Sequence, residues 1–298
     1  GGMVLAFLMV STQAIRAQVM NPADAQKKAQ SPPSQEDAQD KVRYRSWEYP
    51  ALEIEVKGKR ESALKEEDRI GSYSQPRWTA TRRFPSTRVY VIPEGKIEVE
   101  YWLRTTFNKD GDTGYRSMWE IEYGLPYRFQ LDLYLRTDQQ DSGGETLYSE
   151  AIELRYAFAD WGRIPGNPTL YLEWIRKEEN PNVFEPKLLF GGELGPRWHW
   201  GLNLIGEFEL SDPKGYQYAV KDGISYSVLD ARLSVGLESV VEFTKDSEDQ
   251  KDFETAVLIG PSFQLRPFPQ MTINLAPLFG LTEDSPDAQI WFNLGWEL

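Results

Sequence analysis

The sequence contains no cysteine and a single histidine, His199. Without thiols there are no disulfides, no thiolate nucleophile and no sulfur ligand, and cysteine usage does not report the compartment. One histidine and no cysteine exclude the side-chain clusters that hold zinc or copper, so neither a metal site nor a cofactor is expected. Long apolar runs are also missing. Nowhere do the roughly 18 consecutive apolar residues of a membrane-spanning helix occur. Positive charge is scarce: the 298 residues carry a formal net charge of −13, which argues against a nucleic-acid partner. No phosphate-binding or dinucleotide fingerprint is present, and Gly191-Gly-Glu-Leu-Gly195 reads as a glycine-eased turn between strands. Asn108 to Gly114 has the look of a calcium loop, but Thr113 stands where glycine is needed and Trp119 where glutamate is needed. A hairpin tip accounts for it better.

Aromatics and alternation are abundant. Ten Trp and fifteen Tyr raise the aromatic share to 13%, a composition that suits rings seated at headgroup level. From Gly95 onward the chain is a series of period-two segments, the spacing of strands whose faces meet different surroundings. Ile97, Val99, Tyr101 and Leu103 share one face, as do Phe129, Leu131, Leu133 and Leu135, and later Trp198, Trp200, Leu202 and Leu204. Twelve such segments fill 95–298, the eighth interrupted by Asp222. Compact connections lie near Leu125-Pro126, Gly195-Pro196, Asp230 and Pro267-Phe-Pro269, with a longer turn from Asp160 to Pro168. More polar connections lie at Asn108–Gly114, Thr137–Thr146, Lys177–Pro186, Lys245–Asp252 and Thr282–Asp287. Pro261 and Pro277 fall inside proposed strands and predict bulges there.

The last segment, Ile290 to Leu298, puts Ile290, Phe292, Leu294, Trp296 and Leu298 on one face. It resembles the final strand of bacterial outer-membrane β-barrel proteins, alternating apolar residues that end on an aromatic, although here the aromatic, Trp296, stands two places before Leu298. The resemblance covers roughly Gly95 to Leu298. It implies an all-β fold, a closed antiparallel transmembrane barrel of about twelve strands in the outer membrane of a Gram-negative bacterium. It also implies contact with outer-membrane lipid and recognition of Ile290–Leu298 by the barrel-assembly machinery.

Ahead of the barrel, 1–17 reads as a secretory signal peptide cleaved after Ala17 or Ala14, its basic leading region belonging further upstream. Residues 18–40 read as a flexible linker. Residues 41–94 form a distinct basic, aromatic segment of twelve bases against eight acids, expected on the periplasmic side. Within it Leu52–Val56 alternates like a short strand, Ser62–Arg69 suits a helical turn or two, and Pro76 and Pro85 forbid a long helix.

If the apolar face meets lipid, the opposite parity lines the lumen. It carries Glu98, Glu100, Arg104, Glu120, Glu122, Asp132, Arg136, Glu153, Arg155, Glu173, Glu207 and Glu238, with acids about twice as frequent as bases over the whole barrel. A basic segment directly before an acidic barrel predicts a plug: Ile70 to Pro93 folding into the mouth, with Arg77, Arg82, Arg83 and Arg88 paired to lumen carboxylates. Two functions fit this pattern. One is a porin-like channel for small polar solutes or cations, gated by the N-terminal segment. The other is a scaffolding barrel whose segment 41–94 recruits a periplasmic partner. A soluble sandwich or adhesin is the remaining architecture. Enzyme readings fare poorly. Outer-membrane phospholipases and lipid A deacylases need a histidine beside a serine, whereas His199, in Arg-Trp-His-Trp-Gly, has none near it and points into the lumen.

Overall fold

The computed structural model describes residues 65–141, 146–178, 181–211, 214–247 and 250–298. The expected signal peptide, the linker and residues 41–64, with their predicted short strand, lie outside these. Twelve antiparallel strands close into a barrel. They are β1 (Ile97–Phe107), β2 (Thr113–Gly124), β3 (Phe129–Gln140), β4 (Thr146–Ala157), β5 (Thr169–Lys177) and β6 (Val183–Gly195), followed by β7 (Trp198–Glu209), β8 (Tyr216–Leu229), β9 (Leu233–Lys245), β10 (Glu254–Phe268), β11 (Met271–Gly280) and β12 (Ala288–Glu297). Each strand pairs with its neighbours in sequence, and β12 closes on β1 from Ala288↔Phe107 to Glu297↔Glu98. Closure leaves no open edge, so every strand has a ladder on both sides.

The two faces separate as the alternation requires. Outward residues such as Trp119 (57% exposed), Leu135 (63%) and Phe279 (54%) are bare, while Glu98, Glu100, Glu120, Glu122, Asp132 and Glu153 on the inward face are buried. Tight connections at 125–128, 196–197, 230–232 and 269–270, with the longer 158–168, share one rim, which is also where the chain enters β1. We call it the turn rim. The strand ends at Phe107, Gln140, Lys177, Glu209, Lys245 and Gly280 share the opposite rim, which we call the loop rim.

Several local expectations are corrected. β3 runs to Gln140 and β6 starts at Val183, so Thr137–Gln140 and Val183–Pro186 are wall and not loop. Asp222 does not interrupt β8: it sits in register between Leu202 and Ser239, and the Ser239 hydroxyl donates to its carboxylate. Residues 65–69 make a turn, Asp68 N–H to Lys65 O at 3.1 Å, and then enter a two-residue ladder of Arg69–Ile70 with Gln75–Pro76; they are not helical. The prolines produce no bulge. β10 and β11 hold the same register on both sides, Ile259↔Phe279 and Phe263↔Leu275, which sets Pro261 opposite Pro277 with no pairing between those points. Two missing donors are thereby confined to one gap in one seam.

Candidate functional site

Residues 65–96 occupy the interior of the barrel from the turn rim. Their apolar side chains need burial, and the lumen supplies it: Tyr73, Trp78, Phe84, Val89, Tyr90 and Val91 pack into one core with Ala157 and Trp161 of the β4–β5 region. Trp161 meets Trp78 and Tyr90 edge-on, with centroids 5.7 and 5.2 Å away. The segment has almost no ladder of its own, so its backbone is satisfied by wall side chains. Ile92 N–H donates to Gln130 Oε1 (2.7 Å), Arg88 N–H to Asn203 Oδ1 (2.9 Å) and Ser86 N–H to Glu238 Oε2 (2.8 Å).

The wall is shaped to admit it. Register aligns Gly191, Gly201 and Gly223 side by side across β6, β7 and β8. A Cβ on Gly191 would come within 2.2 Å of Val89, and one on Gly223 within 2.6 Å of Phe84. The expectation that Gly191 eases a turn is therefore corrected: it lies within β6 and makes room for the inserted segment.

The pairing register also gathers the acids. Glu297↔Glu98, Glu98↔Glu122, Glu122↔Asp132, Asp132↔Glu153, Glu153↔Glu173 and Glu173↔Glu185 are successive cross-strand partners, forming a continuous row of carboxylates from β12 round to β6. Beside it lies the pair Glu100↔Glu120. Like charges directly opposed repel, and more strongly where water is excluded. Cations are set against them. Arg82 reaches Glu100 at 3.0 Å and Glu120 at 3.3 Å, and also donates from Nε to Glu100. Arg88 pairs with Glu122 and lies 3.6 Å from Glu100. From the wall, Arg155 bridges Asp132 (2.9 Å) and Glu153, and Arg136 pairs with Glu173. Burial alone would pull the Arg82 guanidinium down, but Glu100 and Glu120 outweigh it and hold it above its ordinary value. The carboxylate triplets Glu98–Glu100–Glu122 and Glu120–Asp132–Glu153 thus face the guanidinium groups of Arg82, Arg88 and Arg155.

The other two arginines singled out by sequence end elsewhere. Arg83 is buried and pairs at 2.9 Å with Glu66, which belongs to the inserted segment and not to the wall. It also donates to the hydroxyls of Ser225 (2.9 Å) and Ser227 (2.7 Å) and to Gln264 Oε1 (3.0 Å). Burial pushes its guanidinium below the ordinary value despite Glu66. Arg77 is half-buried and donates to the Pro269 carbonyl at 3.1 Å. The partner expected for these two is corrected accordingly. His199 is fully buried at the turn rim, its Nδ1 2.8 Å from Arg83 and its Nε2 2.9 Å from Glu67. A guanidinium only donates, so Nδ1 accepts and the proton sits on Nε2, donating to Glu67.

On the loop side of Arg82, Pro85, Ser86 and Arg88 lies a cavity of about 770 Å³. Arg104, Glu120, Arg136, Arg155 and Glu207 of the expected lumen set line it; Glu238 lies at its base, accepting from Ser86; Glu98, Glu100, Glu122, Asp132, Glu153 and Glu173 are buried outside its lining. Sequence reasoning did not find Glu66, Asn203, Gln130, Gln264 or the glycine row. Their signal is the register, which only pairing reveals.

No family model matches the chain, and no curated protein does. Among solved structures, the COG4313 outer membrane channel from Pseudomonas putida F1 superposes with a TM-score of 0.54 at 10% identity, covering 70% of this chain and 98% of that one. The KdgM porin gives 0.47 at 12% identity over 67% and 98% of the two chains, and the NanC porin 0.46 at 9% over 67% and 97%. Identities this low speak to fold alone. The fold is a closed twelve-stranded antiparallel β-barrel, the architecture shared with that outer membrane channel.

Proposed function

We propose that this protein is an outer-membrane channel for small polar solutes whose conductance is set by the segment inserted from the turn rim. The outward apolar band matches the lipid-facing belt of such barrels, and the alternation of short turns and longer loops supports a periplasmic turn rim. On this reading Ile290–Leu298 is the strand offered to the assembly machinery. The observation that carries the proposal is Arg82 and Arg88 wedged against the carboxylate row, directly beneath the 770 Å³ cavity. Attraction of this kind holds a plug while leaving it removable, because the same carboxylates form the wall once it withdraws. With the segment docked, Arg82 and Arg88 answer part of the acid excess, which weakens the case for cations as the natural cargo.

The test is single-channel recording and liposome swelling on the wild type, on Arg82→Gln/Arg88→Gln, and on a chain lacking 65–92. Larger conductance with a shift toward cations is expected in both variants. Unchanged conductance together with unchanged thermal stability would sink the proposal. A barrel sealed in every form, yet retaining a periplasmic protein through its N-terminal segment, would establish the scaffolding alternative instead.

A further inference from the structure

Most bases around the cavity have a carboxylate. Arg116 holds Asp138 with Nε–Oδ1 at 2.5 Å, Lys187 holds Glu185 at 2.5 Å, and Lys221 holds Glu242 at 3.6 Å. Arg104 differs. Its Nε is buried without a hydrogen-bond partner, and it makes no ion pair among the described residues. The register sets it directly opposite Arg116 on one side and Trp291 on the other. Trp291 in turn has Arg104 Cζ and Lys221 Nζ each 5.2 Å from its ring centroid. Two cations therefore flank the indole, and Arg116 stands beside Arg104 on the next strand; among the described residues Arg116 and Lys221 each hold a carboxylate in an ion pair and Arg104 holds none.

Directly opposed like charges are unfavourable, and a buried guanidinium donor normally finds an acceptor. Neither condition is met by the wall at this point. The cavity that opens here is of a size typical for small ligands. We propose that Arg104, with Arg116 beside it and Lys221 reaching Trp291 next to it, forms a subsite for the carboxylate of a small polar monoanionic solute. A carboxylate would give the Arg104 guanidinium the hydrogen-bond partner that the wall does not supply. A carboxylate accepts two parallel bonds from a guanidinium fork, which a monatomic anion cannot do. The idea rests on the channel reading only in taking the ligand to be a passenger; binding itself is read without flux.

The test uses the full chain in detergent micelles, with tryptophan fluorescence titrated by gluconate and by sorbitol, the neutral polyol of the same carbon chain. A saturable gluconate signal with none for sorbitol is expected. Arg104→Gln should weaken gluconate at least tenfold, while Arg176→Gln, at an exposed arginine paired with Glu150, should leave it unchanged. Should Arg104→Gln fail to fold, Arg104→Lys keeps the charge without the fork, and a tenfold loss is expected there too. Equal binding of sorbitol, competition by chloride at the same concentration as gluconate, or unaltered affinity in the folded Arg104 variant would each overturn the subsite. Gluconate binding in a barrel that passes no solute would leave the subsite standing and remove the channel reading; flux without gluconate binding would do the reverse.

Discussion

Single residues decide whether the inserted segment fits. Gly191 has no room for a side chain, since a Cβ would collide with Val89. Gly191→Val is expected to destabilise the docked segment by about 1–3 kcal/mol, as overpacking does. Faster proteolysis of 65–96 with the barrel band intact would show it. Glu67 gives a second handle. Burial first, and then the neighbouring Glu193, raise its carboxyl above the ordinary value. The docked state thus holds this proton more tightly than the released state, so Glu67 favours docking at low pH and loses that contribution as pH rises through its raised value. Glu67→Gln is expected to flatten this part of the pH profile, measured as segment protection between about pH 4 and 7. A profile identical to wild type would show that Glu67 does not set it. Much of this scale was hidden from the sequence. The parity that sends Glu98 and Glu100 inward is visible in the alternation, but which carboxylate Arg88 meets depends on strand register and on the path of a segment without periodicity.

At the scale of elements, alternation was an ample guide. It marked twelve segments because each strand alternates outward apolar residues with interior ones through most of its length. It failed at strand ends near the loop rim, where Thr137–Gln140 are polar yet still paired in β3. It also misjudged the prolines, because facing positions on two strands are not adjacent in sequence. Pro261 and Pro277 concentrate their missing donors at the β10–β11 seam. The double replacement Pro261→Val/Pro277→Val is expected to close that gap and raise stability by about 1 kcal/mol for each hydrogen bond regained. Thermal unfolding of the purified barrel is the measurement, and a lowered midpoint would show that the gap carries a structural purpose.

Across the whole molecule, the carboxylate row and the two arginines form one electrostatic unit. Removing Arg82 and Arg88 leaves buried charges without partners, a loss of roughly 3–5 kcal/mol for a broken buried pair. Arg82→Gln/Arg88→Gln is therefore expected to lower the unfolding midpoint at neutral pH and to recover part of it on acidification, when the carboxylates protonate. An equal loss at both pH values would assign the effect to packing. The basic character of 41–94 and the acidity of the barrel were both legible as charge totals, and they pointed to attraction between the two. The totals could not apportion it: Arg83 turns to Glu66 within its own segment, and Arg77 to a turn carbonyl.

The short connection from the segment to β1 has a further consequence. Gly95 N–H donates to Gly124 O at 2.8 Å, and Gly124 N–H to Lys96 O at 2.9 Å, so the tether is stitched to the wall only a few residues beyond the last docked side chain. A released segment therefore stays within reach of its seat, at an effective concentration on the order of millimolar. Docking is a first-order event that dilution does not weaken. A free peptide copying 70–93 would compete with it only at comparable concentration. On the channel reading, opening would then come from something that grips the segment or the row it rests on, and not from simple loss by diffusion.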